Sequence, residues 1–298
     1  MKRQGVKSLN LMNGFDYWNY LLMFLVVAIT IYPLYYCAIV SVSDGAAVIR
    51  GDVIWHPIGF DLKAYEVVFS NEQILGAYAN TIYYTVLGTV VNIIMTALCA
   101  YPLSRPRLKG RRTLNFLCML TMFINGGMIP MYLQIKSLNL LDTTWAIVFP
   151  GAISTYNMII MRTFFSSIPE ELHEAAEIDG ASQFQVFRTV ILPLSQTIIA
   201  TLVLFYAVGH WNSFMSALLY LEEQRRMPLQ IIIRKMVIDS DLASMTTANS
   251  SSSSNETLLS ENKIKYAIVM ISVLPMVVAY PFLQRYFVRG VMIGAIKG

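Results

Sequence analysis

The sequence predicts an all-α, polytopic membrane protein with six transmembrane helices, and two observations carry that prediction. Hydrophobic residues make up 56% of the 298 residues and charged residues only 13%, whereas charged residues are about 25% of an average soluble domain. The charges are also segregated, which leaves six intervals without Asp, Glu, Lys or Arg, each able to hold the roughly 20 residues that cross a bilayer as a helix. These intervals are Tyr17–Ser43, Gln73–Ser104, Thr113–Ile135, Thr143–Met161, Thr189–Leu221 and Tyr266–Gln284.

A cluster of basic residues predicts the orientation of these helices. Five cations and no acid lie between Arg105 and Arg112, in the loop that joins the second and third intervals. Because cytoplasmic loops are enriched in Lys and Arg, this loop is predicted to be cytoplasmic, and alternation places both termini there as well. The predicted organisation is a cytoplasmic N-terminus at 1–16, a first helix with an extracellular cap at 17–75, a membrane core at 76–288 with cytoplasmic helices at 167–192, and a cytoplasmic tail at 289–298.

The two longer segments predicted to lie outside differ in composition. Ser43–Glu72 mixes aromatic and charged residues, which is typical of a short ordered cap at the membrane interface. Thr246–Asn262 is rich in Ser, Thr and Asn and is too polar to pack a core, so it predicts a mobile tip.

A charged, helix-competent segment lies between the fourth and fifth intervals. Ser167 is predicted to be a helix N-cap and Pro169 a first-turn residue, and the acidic residues that follow meet the positive end of the helix dipole. Ala175 and Ala176 leave one side of this helix nearly bare, so that a partner can approach the backbone closely. Gly180 can supply the left-handed geometry from which a second short helix leaves. The segment therefore predicts a rigid docking element, and a solvated loop helix is the alternative.

Residues suited to catalysis or metal binding form no recognisable pattern in this sequence. It contains neither the glycine-rich phosphate-binding loop with Lys and Ser or Thr nor the two-histidine zinc motif of metalloproteases. The three cysteines lie in apolar intervals without metal-ligand spacing and are predicted to be buried small residues. His173 is predicted to be a solvated helix residue. His210 lies in the middle of an uncharged interval, where a polar group is expected to face protein or a water-filled path.

The charged segment resembles the coupling motif of the membrane subunits of type I ABC importers. In that motif Glu174-Ala175-Ala176 is followed after three residues by Gly180 and then by Leu192-Pro193, with Ile191 one position later than in the simplest spacing. Further segments resemble the carbohydrate branch, similar to the maltose-transporter permease family, and 121–130 resembles its relatives that serve complex oligosaccharides. The other segments are Asn80-Thr81, 100–105, 209–212, 227–230 and 289–298.

The resemblance implies the transmembrane domain of a type I ABC importer, in the plasma membrane of a bacterium, that forms half of a path for sugar import. It implies a second permease subunit, two cytoplasmic ATP-binding subunits and an extracellular sugar-binding lipoprotein as partners. This chain would bind no cofactor and have no catalytic residue, since ATP and Mg²⁺ would be used by the ATPase subunits. The residues implied in ATPase coupling are Glu171, Glu174, Ala175, Ala176, Asp179, Gly180, Ala181, Phe184, Leu192 and Pro193.

Side chains within the apolar intervals suggest where a sugar would pass. Sugars present apolar ring faces and hydroxyl groups, so aromatic, amide and imidazole side chains are the candidates. For each of them, packing between helices or a place at the membrane interface is the alternative. The candidates are Asn125, Tyr132, Tyr156, Asn157, Tyr206, His210, Trp211 and Asn212.

Several other interpretations are open at the level of sequence. An ABC permease for a solute other than sugar would share most of these features. A secondary transporter would normally have ion-coupling carboxylates within its membrane helices. This interpretation is disfavoured because every Asp and Glu lies outside the apolar intervals. A channel would not need the acidic docking element, and an intramembrane enzyme would need a nucleophile and a base. Gly126-Gly127 and Pro130 predict a kink in the third interval, either as a gate or as plain packing.

Overall fold

A computed structural model describes residues 14–246 and 263–281 of the chain. All regular structure in those two ranges is helical. The predicted mobile tip at 246–262 falls almost wholly outside the described residues, as does the tail at 289–298. The α-helices are α1 Gly14–Ser41, α2 Gly45–Ile49, α3 Lys63–Ser70, α4 Glu72–Ser104, α5 Arg111–Leu120, α6 Met128–Ser137, α7 Thr144–Val148, α8 Thr155–Ser166, α9 Glu170–Ile178, α10 Gln183–Val186, α11 Leu192–Leu194, α12 Gln196–Trp211, α13 Met215–Tyr220, α14 Leu229–Thr246 and α15 Lys263–Pro281.

Helices long and apolar enough to cross a membrane are fewer than the sequence predicts. Among the described residues, α1, α4 and α15 each meet this criterion as a single helix. Two bent pairs raise the number to five if each is one span: Thr144–Gly151 with α8, bent by 53°, and Gln183–Leu194 with α12, bent by 81°. The predicted count of six spans is therefore not confirmed in the part of the chain that the structure describes.

The third apolar interval accounts for the difference. It is divided between α5 and α6, which have ten residues each and so extend only about 15 Å at 1.5 Å per residue. Residues 121–127 separate them, and Gly127 has a φ of 88°, a backbone conformation that favours glycine. The kink predicted at Gly126-Gly127 is thus a complete break of the helix.

The chain divides into two compact units, and the first contains residues up to 68 together with 240–271. In this unit the segment after α1 folds back on itself: the Asp44 amide donates to the Ile58 carbonyl at 2.8 Å, and the Asp61 amide donates to the Val42 carbonyl at 2.9 Å. Lys263 at the start of α15 forms a 2.8 Å ion pair with Asp61, and this contact lowers the pKa of the Asp61 carboxyl. The cap is therefore ordered through backbone pairing and one largely buried cation.

The second unit, residues 69–239 and 272–298, is organised around α4. α12 and α8 pack along this helix, and small residues such as Ala97 and Ala100 allow their close approach. Toward its C-terminal end the core also takes in Tyr101 of α4, Phe165 of α8 and Phe187, which follows α10. The end of α4 is therefore packed beside the charged segment that contains α9.

Candidate functional site

α9 begins later than the sequence suggests. Ser167 is not an N-cap: it is the C-cap of α8 in helical geometry, and its hydroxyl donates back to the Phe164 carbonyl at 2.7 Å. Pro169, with extended backbone at φ −55° and ψ 136°, occupies the N-cap position in front of Glu170. The predicted cap is wrong because α8 continues to Ser166, which leaves the Ser167 hydroxyl within reach of its own helix.

The end of α9 has the geometry that the sequence predicts. Asp179 is the C-cap, and Gly180 follows in the left-handed region with φ 83°. The Gly180 amide donates to the Glu177 carbonyl and the Ala181 amide to the Ala176 carbonyl, both at 3.0 Å. This pair of bonds is the Schellman arrangement that closes a helix at glycine.

A second short helix leaves from this turn. Ser182 and Gln185 form a reciprocal capping box at the start of α10, which satisfies backbone donors that would otherwise have no partner. A π-helical turn at Phe187–Ile191 then leads to Pro193 and the 81° bend before α12. The docking element predicted from the sequence is therefore a helix, a left-handed turn and a capped second helix.

Two arginines that follow α4 hold the inner face of α9. Arg105 is only 8% exposed and donates to both carboxylate oxygens of Glu170, at 2.9 and 3.1 Å. Arg107 donates to Glu174 and to Glu177, each at 2.9 Å. In the sequence these arginines indicate only the topology of the loop, and their partners on α9 were not predicted. The signal was available, because Glu170, Glu174 and Glu177 share one helix face at spacings of three and four residues.

His173 lies on the same inner face, and the prediction that it is solvated is wrong. It is 2% exposed and stacks on the Tyr101 ring with centroids 6.1 Å apart. Burial, with the Arg105 cation nearby as a secondary cause, lowers the pKa of His173.

Glu177 accepts a 2.6 Å hydrogen bond from the Gln183 side chain. This bond holds the pKa of the Glu177 carboxyl below its usual value, and the Arg107 cation contributes to the same shift.

The outer face of α9 and the start of α10 are open. Glu171, Ala175 and Asp179 are exposed, and Phe184 is 63% exposed. Ile178, which was not among the predicted coupling residues, is 86% exposed, although it is a large apolar residue on a charged helix. Among the other predicted coupling residues, Glu174, Gly180 and Pro193 are exposed, while Ala176, Ala181 and Leu192 pack partly buried against the core.

A groove lies beside this segment, between the end of α4 and α10. It has a volume of about 390 Å³ and is lined by Tyr101, Arg105, Arg107, Phe184 and Phe187, among others. Its walls are mostly apolar, although the two arginines contribute to them. The groove and the exposed Phe184 ring form one continuous surface with the start of α10.

A second set of polar contacts lies deep between the membrane helices. His210 Nε2 of α12 is 2.6 Å from Asn92 Oδ1 of α4, and the Asn92 amide donates to the Gly151 carbonyl. Because the Asn92 oxygen can only accept, His210 is the donor at Nε2. Any Cβ at Gly88 would overlap the His210 imidazole, so glycine is required for this close approach.

Tyr206 of α12 makes a similar set of contacts one turn further along α4, at Thr96. The Tyr206 hydroxyl is 2.7 Å from the Thr96 hydroxyl and accepts a hydrogen bond from the Ser154 amide at 3.2 Å. Gly151 and Ser154 belong to the break between α7 and α8, where the regular helix ends. Since backbone groups within a bilayer need internal partners, Asn92 and Tyr206 stabilise the broken span. Asn92 and Thr96 were missed, although a polar residue in a charge-free interval is the relevant signal.

The other predicted pathway residues have separate surroundings. Trp211 is buried and donates to the Ser272 carbonyl at 3.0 Å, while the exposed Asn212 bonds to Val208 of its own helix at 3.0 Å. Tyr132 stacks on Tyr220 with ring centroids 6.4 Å apart. Asn157 is buried near the start of α8. Asn125 and Tyr156 are exposed.

No group of three or more His, Cys, Asp or Glu residues is arranged to hold a metal ion within residues 14–246 and 263–281. The three cysteines are unpaired and half-buried.

Comparison with known proteins gives consistent matches over most of the chain. Residues 97–293 match the family described as binding-protein-dependent transport system inner membrane component. The protein LplC of Bacillus subtilis (strain 168) is 43% identical over 95% of both chains. The polygalacturonan/rhamnogalacturonan transport system permease protein YtcP of the same organism is 38% identical over 94% of this chain and 96% of its own.

Two solved structures resemble the fold. A chain of a bacterial ABC transporter involved in the import of the acidic polysaccharide alginate has a TM-score of 0.82 and 35% identity, over 92% of this chain and 96% of its own. A chain of a bacterial alginate ABC transporter in complex with an alginate pentasaccharide-bound periplasmic protein has a TM-score of 0.60 at 16% identity, over 90% of this chain and 93% of its own, and is similar in fold alone.

Proposed function

Because this chain belongs to the family of binding-protein-dependent transport system inner membrane components and is a permease subunit of an ABC importer, we propose that it forms half of a path for the import of oligosaccharides. The support for the substrate class is the set of relatives, which includes a polygalacturonan/rhamnogalacturonan permease and an alginate transporter. Both named substrates are acidic polysaccharides. Acidic oligosaccharides are therefore the first substrates to test. A non-sugar solute is the alternative, since two sn-glycerol-3-phosphate permeases are also relatives, at 25% and 26% identity.

The observation that carries the coupling proposal is the two-sided nature of α9. Its inner face is held by ion pairs to the end of α4, and its outer face, with Ala175 and the 86% exposed Ile178, is open. An exposed face that combines small and apolar residues with the acids Glu171 and Asp179, on a rigid, capped element, has the form of a surface that docks in a partner's cleft. The partner is a cytoplasmic ATP-binding subunit, which supplies the site for ATP and Mg²⁺.

The assembly proposed for this subunit contains four further chains. They are a second, homologous permease, two ATP-binding subunits and an extracellular sugar-binding lipoprotein. ATP-driven movement of the ATPase subunits would shift the permease between inward-open and outward-open states through contacts that differ between those states. Both termini of this chain would lie in the cytoplasm.

The docking face is tested by charge substitution at Ala175. Ala175→Arg places a long cation on the exposed face, and we expect the ATPase subunit no longer to co-purify and uptake to be lost. Ser167→Arg, at an exposed position before α9, is the matched control and should assemble normally. Ala176 is unsuited to this test because it packs against the core. An Ala175→Arg variant that recruits the ATPase and transports normally would refute the docking proposal.

Orientation is tested by cysteine labelling in a background where Cys37, Cys99 and Cys118 are replaced by alanine. With Ser252→Cys we expect reaction with an impermeant maleimide added to intact cells, whereas with Gly110→Cys we expect reaction only after the membrane is opened. Labelling in the opposite order would place α9 outside and remove it from any cytoplasmic ATPase.

The substrate class is tested with the assembled transporter and its binding protein. Calorimetry of the binding protein with oligogalacturonates, neutral oligosaccharides and glycerol 3-phosphate, followed by uptake of the bound compound into vesicles, separates the alternatives. Binding and uptake of glycerol 3-phosphate alone would exclude the carbohydrate proposal.

A further inference from the structure

The two arginines after α4 are placed to act on α9 from a fixed base. Arg105 is the C-cap residue of α4, and its amide donates to the Pro102 carbonyl at 3.1 Å. Its position therefore follows that of the helix end, with no flexible linker in between. Arg107 lies two residues further along the chain and contacts the same face of α9.

The Arg105 contact is the stronger of the two. Its guanidinium binds both oxygens of Glu170, and its side chain is 9% exposed against 36% for Glu170. Glu177 lies 3.9 Å from the same guanidinium. Bidentate, partly desolvated pairs resist separation, because pulling them apart leaves a buried charge without a partner. The Arg107 side chain is 57% exposed, and its ion pairs are screened by water.

Covalent connections from α9 lead to other helices. On its N-terminal side the chain passes through Ser167–Pro169 to α8, and on its C-terminal side it passes through Gly180 and α10 toward α12. Neither route reaches α4 directly. α4 is the helix around which the second unit packs, and it carries Asn92, which supports the break between α7 and α8. The ion pairs of Arg105 and Arg107 are thus the charged links between α9 and the end of α4, and they act beside the stacking of His173 on Tyr101.

We propose that Arg105, assisted by Arg107, is a positioning residue that transmits displacement of α9 to α4. This inference rests on the proposed docking of α9 on an ATPase subunit. With the Arg105–Glu170 pair intact, a force applied to the outer face of α9 moves the end of α4. With the pair weakened, α9 follows the ATPase while α4 lags, so that ATP is hydrolysed without transport.

The experiment measures ATP hydrolysed per substrate transported by the complete complex in vesicles. In Arg105→Lys the charge is kept but the bidentate geometry is lost, and in Glu170→Gln the carboxylate charge is lost. For both we expect normal ATPase recruitment, hydrolysis within about twofold of the parent and an ATP-to-substrate ratio raised about tenfold. Arg107→Gln should raise the ratio less, and Arg112→Gln, whose side chain is exposed at the start of α5, is the control that should leave it unchanged.

Two outcomes overturn the inference, and both differ from failure of the docking proposal. An unchanged ratio in Arg105→Lys and Glu170→Gln would show that displacement does not pass through the pair. Loss of recruitment in both variants, with Ala175→Arg also unable to recruit, would show that the pair only shapes the docking face. Normal recruitment by Ala175→Arg would instead refute the docking proposal itself.

Discussion

The chain has two polar regions that are built in opposite ways. At the end of α4, charged side chains pair with charged side chains, as in Arg105–Glu170 and Arg107–Glu174, and the outer side of α9 is open. Between α4 and α12, neutral groups hydrogen-bond to one another and to the backbone, as in Asn92–His210. The bidentate Arg105–Glu170 pair resists separation while the other side of α9 stays accessible to a partner, whereas a neutral contact within the bilayer has no water to replace a lost partner. The first region is suited to transmit movement, and the second to hold a broken span in place.

The largest effect is expected from Asn92→Leu. This change leaves His210 Nε2 and the Gly151 carbonyl without their partner, and two unpaired buried groups should lower the free energy of unfolding by about 3 kcal/mol. Thermal unfolding of the assembled transporter measures this. Asn212→Leu is the matched control, since the bond from exposed Asn212 to the Val208 carbonyl lies within its own helix.

Transport by the same variants separates a bridging role from a pathway role. If Asn92 and His210 bridge helices, loss of uptake in Asn92→Leu and His210→Ala should parallel loss of stability. Uptake lost at unchanged unfolding temperature would place these residues on the sugar path. If uptake is lost at unchanged unfolding temperature in Asn212→Leu alone, only Asn212 is placed on the sugar path.

Gly88→Ala should have the next largest effect. The new methyl group overlaps the His210 imidazole, and displacing that ring should cost about 2 kcal/mol of the free energy of unfolding. In a His210→Ala background the same substitution should cost much less, because the overlap is gone. A double-mutant cycle measures this coupling, and additive effects would show that the imidazole does not occupy the space above Gly88.

A smaller effect is expected from Gly180→Ala in the open region. Nothing lies within 4 Å of a Cβ at this position, so only the left-handed backbone opposes alanine, and the cost should be about 1 kcal/mol. Because the turn aligns α9 with α10, we expect weaker ATPase co-purification. Gly51→Ala has a comparable φ of 75° and equal space in the cap. It should cost similar stability and leave co-purification unchanged, and equal loss from both changes would argue against a special role of the α9 turn.

The smallest effect concerns pH and His173. Burial lowers the pKa of this histidine in the folded chain, so the neutral form is favoured there, and its contribution to stability is fully present above the unfolded pKa of about 6.5. As pH falls from that value through the lower folded pKa, the contribution is lost. Limited proteolysis at 167–193 should therefore accelerate with acidification, and His173→Phe should flatten that dependence. An identical profile in His173→Phe would assign the acid sensitivity to another group.

Much of the local structure of the charged segment that contains α9 could be predicted from its residues. Gly180 closes α9 in left-handed geometry because no other residue adopts that backbone at so little cost. The sequence predicts the N-cap of α9 at Ser167, whereas Pro169 occupies that position. The prediction failed because capping depends on where the preceding helix ends, which is a property of α8 and not of the serine.

The apolar intervals predicted membrane helices but not their continuity. α4 runs unbroken through its interval, while the third interval breaks at residues 121–127 and the fourth between the end of α7 at Val148 and the start of α8 at Thr155. Hydropathy reports the environment of a segment. It contains no information on which groups form hydrogen bonds with the backbone N–H and C=O groups of that segment. The Asn92 and Tyr206 side chains that stabilise the fourth span come from helices distant in the sequence.

By itself, the sequence determined that this is a helical membrane protein of the ABC importer permease family, because composition, charge segregation and the coupling motif are properties of residues in order along the chain. Only the tertiary structure decided which side of α9 is open and which is held. That division depends on Arg105 and Arg107 meeting Glu170, Glu174 and Glu177 across about 65 to 70 residues of chain. Such a meeting follows from the packing of α4 against α8, because the spacing of the three glutamates indicates a charged helix face and does not specify which cations meet it.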